Sequence, residues 1–338
     1  MMDFQSFKPV ALNAPTVSAQ LDWADLMGAL KMRLGFGRDA YRVEPGLYRL
    51  GTPDGNSDVL VSANYKLSFD MLRKELDGLN LWILVVDTDG VNVWCAAGKG
   101  TFGTERVVKS IKDASLELMV KHRRVILPQL CAPGVAAHLV KEQTGFKAVF
   151  GPVLAKDIKE FLNANHKATA EMRRMRFPMK ERIKLVPNDF LYGKKWLMII
   201  LAGFFLFAGL DKSGFLFEKM LSTSLFPLLN VFAAYMAGIG LGPMFLNWVP
   251  FRPFALKGAF WGLASTVLMN ALFTVSVLES IGLGLVNVSI ASFMCMNFTG
   301  SSTYTSLSGV QKEMKLAVPL QIILMAAGII LYIVSKIV

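Results

Sequence analysis

The sequence predicts two parts: an α/β domain of the Rossmann-like, doubly wound kind, followed by an all-α domain of five transmembrane helices. Three observations lead there. The 338 residues are 53% hydrophobic with a mean hydropathy of +0.44, too apolar for an ordinary soluble chain. Charge is uneven: residues 1–195 carry 29 Lys and Arg against 21 Asp and Glu, whereas residues 196–338 carry 7 against 4. Strand-like and helical runs alternate in the first part, and five apolar stretches in the second each approach the roughly 20 residues that cross a hydrocarbon core. The domains expected are residues 1–166, a basic juxtamembrane linker at 167–195, and the spans at 196–338.

The N-terminus, MMDFQSFKPV, has no positive segment followed by an apolar one, so the first domain is expected to stay in the cytoplasm. Strands are expected near 41–50, 58–63, 81–87, 124–128 and 147–151, with helices near 68–78, 92–119, 134–144 and 154–165. Leu81-Trp-Ile-Leu-Val-Val86 is apolar throughout, as a strand buried on both faces should be. In such sheets a ligand sits beyond the carboxyl ends of the strands. That rule directs attention to the turns Ser62–Ser68, Asp87–Asn92, Pro128–Gly134 and Gly151–Pro152. Residues 167–195 hold nine basic and three acidic residues, suited to anionic headgroups or to a positive-inside signal alone.

The spans are expected at about 196–216, 224–248, 254–278, 280–299 and 316–335. Lys194, Lys195, Arg252, Lys257, Lys312 and Lys315 would lie on the side of the first domain, which the positive-inside rule makes the cytoplasm, with Val338 outside. Lys257 and Glu279 fall at span ends, where they are expected to reach water; a bundle without buried charge disfavours ion-driven transport. Gly238-x-x-x-Gly242 and Gly258-x-x-x-Gly262 fit close helix packing. The polar run Asn297–Gly309 reads as a solvated loop or as one that handles a partner or substrate.

Three cysteines are too few for an all-cysteine iron–sulfur cluster, and Cys95, Cys131 and Cys295 show no zinc spacing. The third strand runs straight into Asp87-Thr-Asp-Gly-Val-Asn92 and then Val93-Trp94-Cys95-Ala96-Ala97-Gly98-Lys99. With Asn92 as N-cap, Cys95 is the third helical residue, where the helix dipole favours a thiolate, and Lys99 shares its face. The plainer reading of Cys95 is a buried packing residue. A Walker loop is excluded, because Val93 and Gly100 stand where Gly and Ser or Thr are needed. No dinucleotide Gly-x-Gly-x-x-Gly follows the first strand, no Asp-x-His-x-x-Gly occurs, and of His122, His138 and His166 only His138 lies near a ligand-edge turn.

Across all eight positions, Asn92-Val-Trp-Cys-Ala-Ala-Gly-Lys99 resembles the cap-helix signature of the HgcA family of mercury-methylating corrinoid proteins. That family joins a corrinoid domain to five membrane spans, so the resemblance covers the whole chain. The corrinoid domain is similar to that of the corrinoid iron-sulfur protein, which has turns like Ala63-Asn-Tyr-Lys-Leu67 and Phe150-Gly-Pro-Val153. The resemblance implies a cobalamin cofactor with Cys95 thiolate as the lower axial cobalt ligand, and transfer of a methyl group from methyl-cobalt(III) to Hg(II). A thiolate opposite the methyl group pushes electron density across the metal, as cysteine does in haem enzymes. Asn92 would position the helix, Trp94 would pack it, and small Ala96, Ala97 and Gly98 would let it approach the macrocycle, with Val93 in the cofactor-binding set and Lys99 balancing the thiolate or solvating the helix end. By strand-end position Asn64, Ser68, Gly134 and Gly151 join the cofactor-binding set. The implied partners are HgcB, a ferredoxin-like protein with two 4Fe-4S clusters, and a methyltransferase of the methyltetrahydrofolate pathway; no nucleic acid is expected. Two other readings stand beside it: a membrane-anchored corrinoid methyl carrier of one-carbon metabolism, and a membrane receptor whose α/β domain binds a small ligand.

Overall fold

The computed structural model describes residues 14–37, 40–298 and 307–338. The N-terminal MMDFQSFKPV and most of the polar run Asn297–Gly309 lie outside the described residues. The chain forms two compact units, one holding Phe36–Arg176 with the described chain up to Met32, the other Arg33–Gly35 and Phe177–Val338. The first runs past residue 166, its expected end, because Met172 is buried in its core and the Met172 carbonyl accepts the Val153 N–H at 2.8 Å.

Its sheet has six strands: β1 (Thr16–Val17), β2 (Gly46–Leu50), β3 (Val59–Ala63), β4 (Leu81–Val86), β5 (Arg124–Leu127) and β6 (Lys147–Phe150), in the order β1-β2-β4-β3-β5-β6. β2 runs antiparallel to β4 and the other pairings are parallel, so the sheet is mixed and its wound part is β4-β3-β5-β6. Neighbouring residues along β3 and β4 feed two separate cores. Val59, Val61, Trp82 and Leu84 enter one, and Leu60, Leu81, Ile83 and Val85 the other, as period-two alternation in a strand covered on both faces requires.

Among the described residues, the helices of this unit are α1 (Trp23–Arg33), α2 (Lys66–Lys74), α3 (Val93–Lys99), α4 (Thr104–Asp113), α5 (Leu116–Met119), α6 (Ala137–Thr144) and α7 (Ile158–Asn163). One helix was expected over 92–119; three are found. Gly100 ends α3 in the left-handed region at φ 82°, and Ser115 does the same after α4 at φ 46°. α2 joins β3 to its neighbour β4, whereas α3–α5 carry the chain back across β3 to β5. The winding therefore reverses between β3 and β5. α1 is fastened to α2 by ions: Lys66 and Arg73 each pair with both Asp25 and Asp70, and Arg73 also donates to the Gln20 carbonyl at 3.0 Å.

The second unit is helical: α8 (Met179–Ile183), α9 (Val186–Phe207), α10 (Phe217–Thr223), α11 (Leu225–Met236), α12 (Gly242–Met244), α13 (Phe254–Leu272), α14 (Val277–Asn297) and α15 (Leu307–Ile337). A π-helical turn, Ala237–Leu241, joins α11 to α12. Among the described residues four helical stretches are long and apolar enough to cross a membrane: Met179–Phe207, Leu225–Met244, Val277–Asn297 and Gly309–Ile337. The expected third span corresponds to α13, whose 19 residues include Lys257 and Asn270 and which falls outside that set. The first span begins well before 196, since α9 already includes Lys194 and Lys195, and it stops at Phe207 before a short hairpin that holds Asp211.

Both glycine motifs pack against α14. A Cβ on Gly238 would lie 2.8 Å from the Ala291 backbone, and one on Gly262 would lie 2.6 Å from the Asn287 carbonyl oxygen. Lys257 does not reach water as expected. It is 8% exposed, and its ammonium donates to the carbonyls of Leu246 and Val249, which take the place of solvent. Glu279 is satisfied by Lys336 at 2.7 Å.

Candidate functional site

The carboxyl ends of β3, β5 and β6 open onto a cleft of about 430 Å³. It lies where the winding reverses, the place at which an open α/β sheet leaves room for a ligand. Ser62 and Tyr65 form its floor at the end of β3, and Leu67, Ser68, Met71 and Leu72 of α2 form one wall. Asn92, Val93 and Trp94 enter from the start of α3, Pro128 and Leu130 from beyond β5, and Gly151, Pro152, Val153 and Leu154 from beyond β6. Apart from Ser62, Ser68, Tyr65 and Asn92, these side chains are apolar.

Asn64 organises the turn that launches α3. Its amide is 3% exposed; its Oδ1 accepts the Thr88 N–H (3.0 Å), the Thr88 hydroxyl (2.8 Å) and the Gly90 N–H (2.9 Å), while its Nδ2 donates to Asp87 Oδ1 (3.0 Å). Asp89 takes φ 58° and Gly90 φ 71°, so the chain turns sharply enough to start a helix at Val93. Asn92 is the N-cap, its side chain accepting the Cys95 N–H at 3.0 Å. The thiol-bearing residue is thus the third of a seven-residue helix, half-buried and free of any disulfide.

Of the residues nominated from sequence, Ser68, Asn92, Val93, Trp94 and Gly151 line the cleft. Cys95 is not one of the lining residues but directly follows Trp94, which is, and Gly98 and Lys99 are exposed, with open space around the Gly98 Cα. Ala96 and Ala97 turn the other way, into the core, so their small size serves the packing of α3 onto its own unit. Gly134 belongs to that packing too: a Cβ there would lie 2.6 Å from the Phe102 carbonyl oxygen and 3.1 Å from that of Ala97. Asn64 faces the β4–α3 turn instead of the cleft.

Sequence reasoning passed over Met71, Leu72 and Leu154, and marked the turns that hold Leu67, Leu130 and Val153 without nominating those side chains. These apolar positions read as ordinary core, and only the crossing at β3 and β5 makes them a wall. No histidine joins the cleft. His122 bonds the Ser57 carbonyl at 2.9 Å and His166 bonds Asp58 at 3.0 Å, both at the amino ends of the strands, and His138 is exposed on α6. Among the described residues no cluster of three or more His, Cys, Asp or Glu is placed to hold a metal ion. An apolar cleft with the half-buried, disulfide-free Cys95 next to its lining residue Trp94 fits a flat organic cofactor that brings its own metal.

Residues 17–162 match the family described as the CO dehydrogenase/acetyl-CoA synthase delta subunit. The chain is similar to the gamma subunit of the acetyl-CoA decarbonylase/synthase complex of Methanopyrus kandleri, 35% identical over 130 residues, which is 37% of this chain and 27% of that one. It is also similar to the corresponding subunit of Methanocaldococcus jannaschii, 33% identical over 150 residues (43% and 30%). The corrinoid/iron-sulfur protein large subunit of Moorella thermoacetica is 32% identical over 126 residues (37% and 28%). The chain spans under a third of the length of these relatives, and the family match, residues 17–162, ends before Phe177, where the long helical part begins.

Proposed function

We propose that the chain is a membrane-anchored, corrinoid-dependent methyltransferase that passes a methyl group to Hg(II), with Cys95 as the lower ligand of the cofactor's cobalt. The observation that carries this reading is the segment Asn92–Lys99, which is folded as a capped, two-turn helix at the edge of the switch-point cleft and bears a free, half-buried thiol. The corrinoid, when bound, supplies the cobalt-held methyl group. The protein's own residues do the rest. Asn64 and Asn92 fix the turn and the first helical turn, so the Cys95 sulfur is presented without a search through rotating loop conformations. Met71, Leu130 and Val153 exclude water from the cofactor's flank, and Ser68 and Asn92 offer hydrogen bonds at the rim. A low-potential donor such as the ferredoxin-like HgcB, with two 4Fe-4S clusters, restores the cofactor, since the chain's three cysteines cannot hold a cluster of their own. A methyltransferase of the methyltetrahydrofolate pathway supplies the methyl group.

The relatives favour a second reading, a corrinoid methyl carrier of one-carbon metabolism for which mercury is incidental: they are named for acetyl-CoA decarbonylase/synthase and corrinoid/iron-sulfur proteins. Cys95→Ala and Cys95→His test the first reading. If Cys95 only packs, removing its sulfur costs about 1 kcal/mol of stability and leaves activity largely intact. If it ligates cobalt, the absorption spectrum of the cobalamin-loaded Cys95→Ala protein changes and methylmercury formation disappears. Imidazole pushes less electron density and is bulkier, so Cys95→His should hold corrinoid at best and methylate poorly. Wild-type methylation by Cys95→Ala at normal abundance sinks the mechanism. An altered spectrum in a protein that makes no methylmercury even when wild type favours the second reading.

A further inference from the structure

The outward face of α1 is apolar where a surface helix is ordinarily polar. Asp25, Ala29 and Met32 turn into the unit. On the opposite side Trp23, Leu26 and Leu30 are 74%, 51% and 49% exposed, at the i, i+3, i+7 spacing that lines one helix face. Lys31 and Arg33, both exposed, flank that stripe. Phe36, 60% exposed, extends it through a turn in which Gly35 and Gly37 take positive φ. A contiguous apolar patch of this kind marks a contact surface. α1 is not free to roll and hide it, because Asp25 on its inner face is held by both Lys66 and Arg73.

We propose that α1 is a membrane-surface anchor whose Trp23, Leu26 and Leu30 lie in the headgroup layer of an anionic bilayer. Three features of the chain select lipid as the occupant. Tryptophan with leucines on one face and basic residues beside them is the makeup of a helix that rests at a membrane interface. The second unit brings a bilayer to the same chain through its four long apolar helices, and such a covalent tether raises the effective concentration of lipid around α1 far above that of a free partner. Lys31 and Arg33 complement anionic headgroups. Through Lys66 and Arg73 the lipid-bound helix is tied to α2, whose Leu67, Ser68 and Met71 line the cleft. The proposal rests on the membrane reading of the second unit and is independent of the cofactor.

The test uses the full chain in vesicles of phosphatidylethanolamine and phosphatidylglycerol, with photoreactive p-benzoylphenylalanine in place of Leu26. Glu142, exposed on α6, and Leu320, 56% exposed on α15, are the reference positions. On irradiation Leu26 and Leu320 should yield phospholipid adducts severalfold above Glu142. Lipid from Leu320 with only protein adducts, or background, from Leu26 overturns the anchor and leaves the membrane reading standing. Background at Leu320 overturns both. Brominated lipid gives a readout that needs no bulky substitution: its quenching of tryptophan fluorescence should fall in Trp23→Phe, and unchanged quenching overturns the anchor.

Discussion

Cys95 and Cys131 are the same residue in opposite physical states. Cys131 is fully buried behind Leu130, and burial pushes its thiol up to about 12, whereas Cys95 is half-buried at the start of α3. In cofactor-free protein at roughly pH 8, near the ordinary thiol range, a maleimide should modify Cys95 and spare Cys131, as read by peptide mass spectrometry. Equal labelling of the two would contradict this placement of the side chains. Cys95 could be singled out in the sequence because everything that sets its environment is local: Asn92 three residues before it, Gly100 five after, and a strand running straight into the turn. Asn64 shows the opposite case. Its position at a strand end was legible, but its task was not. The groups it gathers, Thr88 and Gly90, lie more than twenty residues away and meet it only because β3 and β4 are neighbours in the sheet.

At the scale of elements, the α1–α2 junction makes stability depend on acid. Burial alone would raise the Asp25 carboxyl, but hydrogen bonds from Lys66 and Arg73 outweigh it and hold the group at about 2. A folded-state value below the unfolded one, near 4, means that the stabilisation is fully present above about pH 4 and is lost as pH falls from there toward 2. The protection of the α1 amides against hydrogen exchange, taken relative to the intrinsic rate at each pH, should therefore fall over that window, and Asp25→Asn should show low protection at every pH with the acid step gone. An acid step that persists in Asp25→Asn would assign it elsewhere. The strands of the wound core were readable because each is a short run of mainly apolar residues, β4 wholly so. β1 was not, since two residues hold no periodicity, and the antiparallel entry of β2 depends on a partner, β4, that arrives thirty residues later. The breaks within 92–119 had signals in Gly100 and Ser115, but helix propensity on either side masked them.

For the whole molecule, the open quantity is the parity of the spans. Four crossings put the two ends of the helical unit on one side, and five put them on opposite sides; α13, with Lys257 buried against carbonyls, decides between them. A reporter after Val338 should read outside while one near Lys167 reads cytoplasm, following the excess of basic residues in the loops on the cytoplasmic side. Same-side signals would remove α13 from the set of crossings. The division into an α/β unit and an apolar helical unit was legible from composition alone, because lipid and water select different residues. The exact helix ends were not, since Lys194 and Lys195 extend along α9 without breaking it. The glycine seams of α11–α12 and α13 meet on α14, which is translated after both. During synthesis, then, those notched surfaces are made before their match, and the bundle closes only when α14 follows, so the last fifth of the chain is the step that completes the earlier ones.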